Sequence, residues 1–329
     1  MIYQVQFLHE FKIRGILETV MKIAPTVSII IPSRRERYLQ QTIDDIIAKA
    51  EGSTEVIVVL DGYWPDPPLT NYKNLVVIHQ GTIYENKGMR QCINAGMEIA
   101  KGKYVMKSDG HCLFDQGFDV KLIADCEDNW VVIPRRYRLD PENWKIAPVK
   151  RPPIDYQFLT YPYIRTHDPA CGLHGDEWRE RYFRRKDILI DDNMSTQGSL
   201  YFTTRDWWFK MIHPMNVELY GSFIQEAQEI CNNTWLGGGR VVVNKKTWYA
   251  HWHKGKNGKN YGFSNARYAF HQAERNRGRR NCIDYWINNK FPKRVHDFEW
   301  LIEKFWPVPT WPKNWKKQLI IDKKKEDAK

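Results

Sequence analysis

Lys103-Tyr-Val-Met-Lys-Ser-Asp109-Gly-His111-Cys112 is the stretch whose reading decides the fold. Tyr104, Val105 and Met106 form a short apolar run that reads as a buried strand, and the run stops abruptly in a polar turn. That turn carries an acid and an imidazole two residues apart. Alternate side chains of an extended chain share a face, so Asp109 and His111 can converge on one point. A hard oxygen beside a borderline nitrogen suits Mn²⁺, Mg²⁺ or Zn²⁺. In open α/β sheets, ligands bind beyond the carboxyl ends of the strands, which is where this turn lies. An isolated Asp-x-His is more often a surface turn with an Asx cap, so its meaning depends on the surrounding chain.

Upstream, Val27-Ser-Ile-Ile-Ile-Pro32 is a β-branched run closed by proline and predicts a buried first strand. Leu39, Ile43, Ile46 and Ile47 follow at helical spacing, and Glu55-Val-Ile-Val-Val-Leu60 predicts a second buried strand ending in Asp61-Gly62. Leu75-Val-Val-Ile78 predicts a third, and Ile93, Ala95, Met97 and Ile99 mark a helix entered through Asn86-Lys-Gly88-Met-Arg90. Strand, helix, strand, strand, helix, strand is the doubly wound α/β pattern. Asp61 and the Asp-x-His turn then both fall on its ligand-binding edge.

The chain of 329 residues is long enough for a large core, and its 42% hydrophobic and 27% charged content is ordinary for a globular protein. Its net charge of +11 and 14 tryptophans are not ordinary. A positive surface favours polyanions such as nucleic acid, anionic membrane or phosphorylated small molecules, and aromatics beside Arg and Lys stack on sugars or bases. A solvated basic surface over a Trp-rich core satisfies the same numbers. The six cysteines contain no Cys-x-x-Cys pair, which argues against a zinc ribbon or a disulfide scaffold and favours reduced core thiols. No segment is long and apolar enough to span a bilayer, and Glu10, Lys12, Arg14 and Glu18 do not fit a signal peptide. The expectation is a cytoplasmic enzyme, in a host cytoplasm if the source is viral.

Val27–Pro32, Val58-Val-Leu-Asp61-Gly62, Asn86-Lys-Gly88-Met-Arg90 with Asn94-Ala-Gly96, and Lys103–His111 resemble, in order, the nucleotide-sugar half of a GT-A glycosyltransferase of the large family 2 class. The Asp-x-His version is similar to polypeptide N-acetylgalactosaminyltransferases. Further on, Gln197-Gly-Ser-Leu-Tyr-Phe202 resembles the small-residue strand beneath the donor sugar. Gln225-Glu226-Ala-Gln-Glu229-Ile resembles the family's acidic helix start, except that Ala227 replaces the second acid of the usual pair. Trp248-Tyr-Ala-His251-Trp-His253-Lys254 resembles the segment that supplies the third metal ligand.

The resemblance implies an α/β Rossmann-like fold, a mixed sheet flanked by helices that binds a nucleotide-diphosphate sugar, with UDP the first choice of nucleotide. It also implies a divalent cation, Mn²⁺ ahead of Mg²⁺, held by Asp109, His111 and His251, with His253 as the competing third ligand or a lining residue. On the donor side it places Pro32, Arg34, Asp61, Asn86, Arg90, Ser108, Asp109, Gly198, His253 and Lys254. Asp61 would hold base or ribose or cap its own turn. Arg90 would face the diphosphate, or brace Asp61 or Asp109 in a buried salt bridge. Arg34, Arg35 and Arg37 would meet phosphate or remain solvated. Asp109 and Glu226 are the catalytic candidates. Glu226 is placed either as the base of an inverting transferase or, as favoured here, orienting sugar or acceptor hydroxyls in a retaining one.

Boundaries follow from these motifs: an N-terminal packing segment over 1–25, a catalytic domain over 26–262, and a helical extension with a charged, frayed tail over 263–329. Residues 136–196 read as a long irregular acceptor-side insertion, and the glycine-rich basic run after Lys254 as a lid. The chain shows neither the membrane anchor nor the lectin domain of secretory N-acetylgalactosaminyltransferases, which turns the expectation away from mucin-type acceptors. A hydroxymethylated base in DNA, as in phage-type modification, is the favoured acceptor. Arg179, Arg181, Arg184, Arg185, Arg277, Arg279 and Arg280 would then contact phosphate, with the base flipped out. A protein Ser/Thr or bacterial glycan acceptor is the alternative, and a non-catalytic nucleic-acid-binding protein or a nucleotidyltransferase the competing classes. The latter would need a glycine-rich phosphate signature after Pro32, which is absent.

Overall fold

A computed structural model describes residues 25–163, 172–253 and 265–327. The N-terminal packing segment and the proposed lid therefore lie outside the described residues. The strands are β1 (Val27–Ser33), β2 (Thr54–Asp61), β3 (Leu75–Gln80), β4 (Tyr104–Ser108), β5 (Cys112–Phe114), β6 (Trp130–Asp140), β7 (Lys145–Ile146), β8 (Gln157–Leu159), β9 (Gly175–Glu177), β10 (Ile190–Asp192), β11 (Leu200–Thr204) and β12 (Arg240–His251).

One mixed sheet runs in the order β10-β12-β6-β11-β4-β1-β2-β3, with β5 joined to β12 and β7 to β6. The β3-β2-β1-β4 half is parallel, and β11 then lies antiparallel between β4 and β6. β1 and β2 are buried almost throughout, as continuous β-branched runs in a sheet covered on both faces require. Helices Leu39–Lys49 and Met89–Ile99 direct Ile43, Ile46, Ile93 and Met97 onto opposite faces of these strands. β3 differs from its prediction as a buried strand. Among the described residues it is the sheet edge, and Val76 and Val77 are each 37% exposed.

The insertion over 136–196 is less irregular than its composition predicts. β6 continues to Asp140, β8 pairs with β9, and β10 closes the far edge of the sheet. Ionic contacts fasten it: Arg135 grips Asp155 at 2.7 Å, and Lys245 reaches the Tyr156 hydroxyl at 2.7 Å. The helix Glu226–Leu236 is buried along its entire length, between the sheet and the C-terminal helices. Trp235, Trp286, Phe298, Leu301, Phe305 and Trp311 belong to one apolar cluster, so the extension packs on the core. Its final helix runs over Trp315–Asp327. Asp322 accepts a hydrogen bond from the Tyr161 hydroxyl at 3.0 Å and ties the helix to the insertion. Among the described residues Cys92, Cys112, Cys126, Cys231 and Cys282 are free thiols.

Candidate metal and donor site

The sheet places the Asp-x-His turn by backbone pairing on both sides. Asp109 N–H donates to the Ser199 carbonyl at 2.9 Å, and Trp252 N–H donates to the His111 carbonyl at 3.2 Å. β5 runs antiparallel to the end of β12 with Cys112 opposite His251. Thus the turn after β4 and the last residue of β12 meet, although 140 residues of chain separate them. One ligand atom from each of Asp109, His111 and His251 lies within 4.8 Å of the others. His251 Nε2 is 3.2 Å from Asp109 Oδ2, and His111 Nε2 is 3.8 Å from the same oxygen. The side chains converge across a tight turn between two strands rather than along one extended strand.

The protonation states suit a cation. Burial holds His251 well below the ordinary imidazole range, so the ring is neutral and keeps a lone pair to donate. Burial alone would raise the Asp109 carboxyl, but Lys107 and the two histidines hold it down and ionised. One carboxylate oxygen and two imidazoles form a hard-to-borderline donor set of the kind that Mn²⁺ accepts. Behind His111, Nδ1 lies 3.1 Å from Glu36 Oε2 with both side chains 8% exposed. The carboxylate is near enough to bear on that nitrogen electrostatically, although Nδ1 makes no aligned hydrogen bond among the described residues. A Cβ on Gly110 would come within 2.8 Å of Glu36 Cγ, so the glycine of Asp-Gly-His gives Glu36 its approach.

Below the metal corner lies a second unit. Lys107 on β4 is fully buried, and its Nζ sits 2.6 Å from Asp109 Oδ1 and 3.2 Å from Glu226 Oε1. It also donates to the Gly198 carbonyl. Burial would strip its proton, but the two carboxylates reverse that and push its pKa up. Glu226 is 4% exposed, and burial raises its carboxyl in spite of Lys107. A Cβ on Gly198 would meet Glu226 Oε2 at 2.8 Å; the small residue is required for the carboxylate to sit beneath the β11 entrance. Ser108, fully buried, turns its hydroxyl to the Asp109 carbonyl at 3.0 Å.

Several expected donor residues hold other positions. Asp61 spends both oxygens on backbone, accepting Lys87 N–H at 2.7 Å and Gly88 N–H at 3.0 Å. It therefore fixes the turn containing Asn86 at the start of helix Met89–Ile99. Arg34 donates to the Asp61 carbonyl at 2.7 Å and lies over the Tyr63 ring, which Arg35 also covers at 4.0 Å. Pro32 pairs with Val59 inside the β1–β2 ladder. Arg90 braces neither Asp61 nor Asp109. It is wholly buried, 3.1 Å from Glu229 and stacked on Tyr220, because helix Met89–Ile99 turns that face toward helix Glu226–Leu236. His253 packs edge-on to His251 at 5.1 Å. Although His253 is exposed as a residue, desolvation of its ring and the nearby Arg136 and Arg138 push it down to about 4. Lys254 lies outside the described residues.

Lys107 and Glu36 are the residues that the sequence reading passed over. A lysine inside an otherwise apolar strand was the available signal for the first, since such a charge is buried only with partners. Glu36 was hidden in a run of arginines that reads as solvated surface.

A sequence profile of glycosyl transferase family 2 matches residues 28–198. The chain belongs to that family. No curated protein matches the sequence. Among solved structures, GalNAc-T7 with UDP, GalNAc and Mn²⁺ is similar in fold, with a TM-score of 0.56 at 14% identity over 82% of this chain. The alignment spans 50% of that protein's own length. No helix among the described residues is long and apolar enough to cross a membrane.

Proposed function

We propose that this protein is a metal-dependent glycosyltransferase that moves a sugar from a nucleotide-diphosphate sugar, UDP-linked in the first instance, to an acceptor hydroxyl. The observation that carries the reading is the convergence of Asp109, His111 and His251 within 4.8 Å at the ligand-binding edge of a family 2 fold. A sugar diphosphate departs as an anion, and its developing charge must be neutralised where the bond breaks. Asp109, His111 and His251 would hold the divalent ion, which when bound supplies Lewis-acid neutralisation of the diphosphate. The UDP and Mn²⁺ in the GalNAc-T7 structure support this choice at the level of fold.

Within the chain, Glu36 lies behind the His111 ring, and Lys107 holds Asp109 and Glu226 at a fixed separation by ion-pairing to both. Glu226 then presents a carboxylate, anchored on one side, to sugar or acceptor hydroxyls. Retention of configuration is favoured. Glu226 is the only acid of the acidic helix start that reaches the metal corner, it is already engaged by Lys107, and the neighbouring acid position is Ala227. With no unengaged carboxylate beside it among the described residues, the leaving phosphate takes the acceptor proton.

For the acceptor, a hydroxymethylated base in DNA is supported by the net charge of +11 and by exposed Arg179, Arg184, Arg277 and Arg280. Three other arginines expected on phosphate are spent inside the protein. Arg181 donates to the Asp192 carbonyl at 2.9 Å, Arg185 pairs with Asp191 at 2.6 Å, and Arg279 is 5% exposed. The test is a nucleotide-sugar panel with Mn²⁺, run against hydroxymethylated DNA, peptide and glycan acceptors. Transfer or donor hydrolysis that EDTA abolishes is the expected result. Salt-sensitive DNA binding without turnover of any donor would replace the enzyme with a binding protein. Turnover on peptide or glycan alone would move the acceptor and leave the rest.

A further inference from the structure

Arg136 stands one strand away from the metal corner and has no use in the structure described so far. It lies on β6, where β6 and the end of β12 run parallel with Arg136 opposite Tyr249 and Arg138 opposite His251. Residues at alternate positions of a strand share a face, so Arg136 and Arg138 belong to one face, alongside Tyr249 and His251. Arg136 is 3% exposed, and among the described residues neither Nη1 nor Nη2 has a hydrogen-bond partner. No carboxylate among those residues lies within ion-pairing distance of it. Such a guanidinium cannot escape by losing its proton in water-like conditions, and burying it unpaired is costly. Structures that keep such a group buried keep it for a partner.

The surroundings say what that partner is. The groups that act on Arg136 are the Tyr249 hydroxyl, Arg138, Glu177 and the Cys112 thiol, and it acts in turn on the His253 ring. Glu177 is the single acid among them and already faces Arg179 at 3.4 Å. The Tyr249 hydroxyl is engaged with Ser199 at 2.8 Å. Among these described groups the positive charges, Arg136, Arg138 and Arg179, outnumber the single acid. A planar guanidinium matches phosphate or carboxylate oxygens in pairs.

We propose that Arg136 is an anion-binding residue of the active site, receiving an oxyanion of a bound substrate through its two unpartnered Nη groups. The oxyanion has two sources, the diphosphate of the donor or an acidic group on the acceptor. Only the naming of these sources rests on the glycosyltransferase reading; the anion site itself does not.

Calorimetry on the full chain separates the sources. UDP, pyrophosphate and uridine are titrated with Mn²⁺ into wild type, Arg136→Gln and Arg136→Lys, and inorganic phosphate is titrated into each protein saturated with UDP and Mn²⁺. For the diphosphate source, Arg136→Gln weakens UDP and pyrophosphate by about 10- to 100-fold, leaves uridine unchanged, and Arg136→Lys recovers part of the loss. For the acceptor source, UDP is unchanged and phosphate binding to the saturated protein is lost in Arg136→Gln. If Arg136→Gln fails to fold, the wild-type thermal shift with phosphate and the Arg136→Lys titrations decide. The proposal is overturned if folded variants bind UDP, pyrophosphate and phosphate like wild type, or if no anion shifts the wild-type melting temperature. Anion binding that depends on Arg136 in a protein that turns over no nucleotide sugar would overturn the proposed function and leave this site standing.

Discussion

Two buried acid–base pairs begin on one helix, a single turn apart. Glu229 meets Arg90 at 3.1 Å and spends its other oxygen on Asn216 N–H at 2.7 Å. Glu226 meets Lys107 at 3.2 Å, but Lys107 is closer to Asp109, at 2.6 Å. Both glutamates are nine-tenths buried or more, and burial raises the carboxyl of each. The first pair holds two helices together, and Arg90 Nη1 also donates to the Gly221 carbonyl at 3.3 Å. The second shares its cation with Asp109, a residue of the proposed metal site, so its charge is divided toward that site. What a buried acid does is thus set by where its cation's remaining bonds go.

The most severe test removes the ligand to which that shared cation points. Asp109→Asn, or His251→Ala, is expected to lower Mn²⁺-dependent transfer by about 10³-fold and to abolish Mn²⁺ binding by calorimetry. Retained metal affinity would detach Lys107 and Glu226 from any metal-linked role.

The two glutamates should then part company. Glu229→Ala leaves Arg90 buried without its carboxylate and is expected to cost about 3–5 kcal/mol in urea unfolding. Glu226→Gln keeps the shape and is expected to leave stability nearly unchanged while lowering kcat by about 10²-fold. Equal losses of stability in both would erase the contrast.

Glu36→Gln sharpens the metal side of the comparison. Loss of the charge behind His111 is expected to weaken Mn²⁺ by about 10- to 100-fold, read by calorimetry, with the melting temperature of the metal-free protein little changed. Unaltered affinity would reduce Glu36 to packing.

The smallest effect is at Asp45, which accepts Phe114 N–H at 2.6 Å and so supports β5. Burial lifts its carboxyl from 3.8 to about 6, against the pull of Phe114 N–H and Lys49. The folded protein then holds a proton that the unfolded chain has released between those values, so this group's contribution to stability falls as pH rises through that window. Asp45→Asn should flatten that slope and stabilise the protein at pH 7 by about 1 kcal/mol, allowing for its partial exposure. Melting temperatures recorded from pH 4 to pH 7 check both.

Much of this site was legible in the chain. Asp109 and His111 announce themselves because a strand's apolar run ends on them, and the order of the later motifs supplied His251 and Glu226. Arg90 was misplaced because a sequence shows that an arginine opens a helix but not which face of that helix is turned inward. Lys107 and Glu36 went unrecognised for a related reason: a buried charge is identified by its partners, and Lys107 finds Glu226 more than a hundred residues away. β3 was overread because an apolar strand looks the same at a sheet's centre and at its edge.

Local periodicity and turn chemistry, which depend on near neighbours, determined the strands, the helices and the end of the sheet on which ligands sit. The pairing of His251 with Cys112, the sharing of Lys107 between two acids and the unpartnered Arg136 were decided by tertiary packing alone. Each is a relation between side chains that only closure of the sheet brings within a few ångströms, and electrostatic interactions at that range depend on distance and burial, which a linear order does not contain.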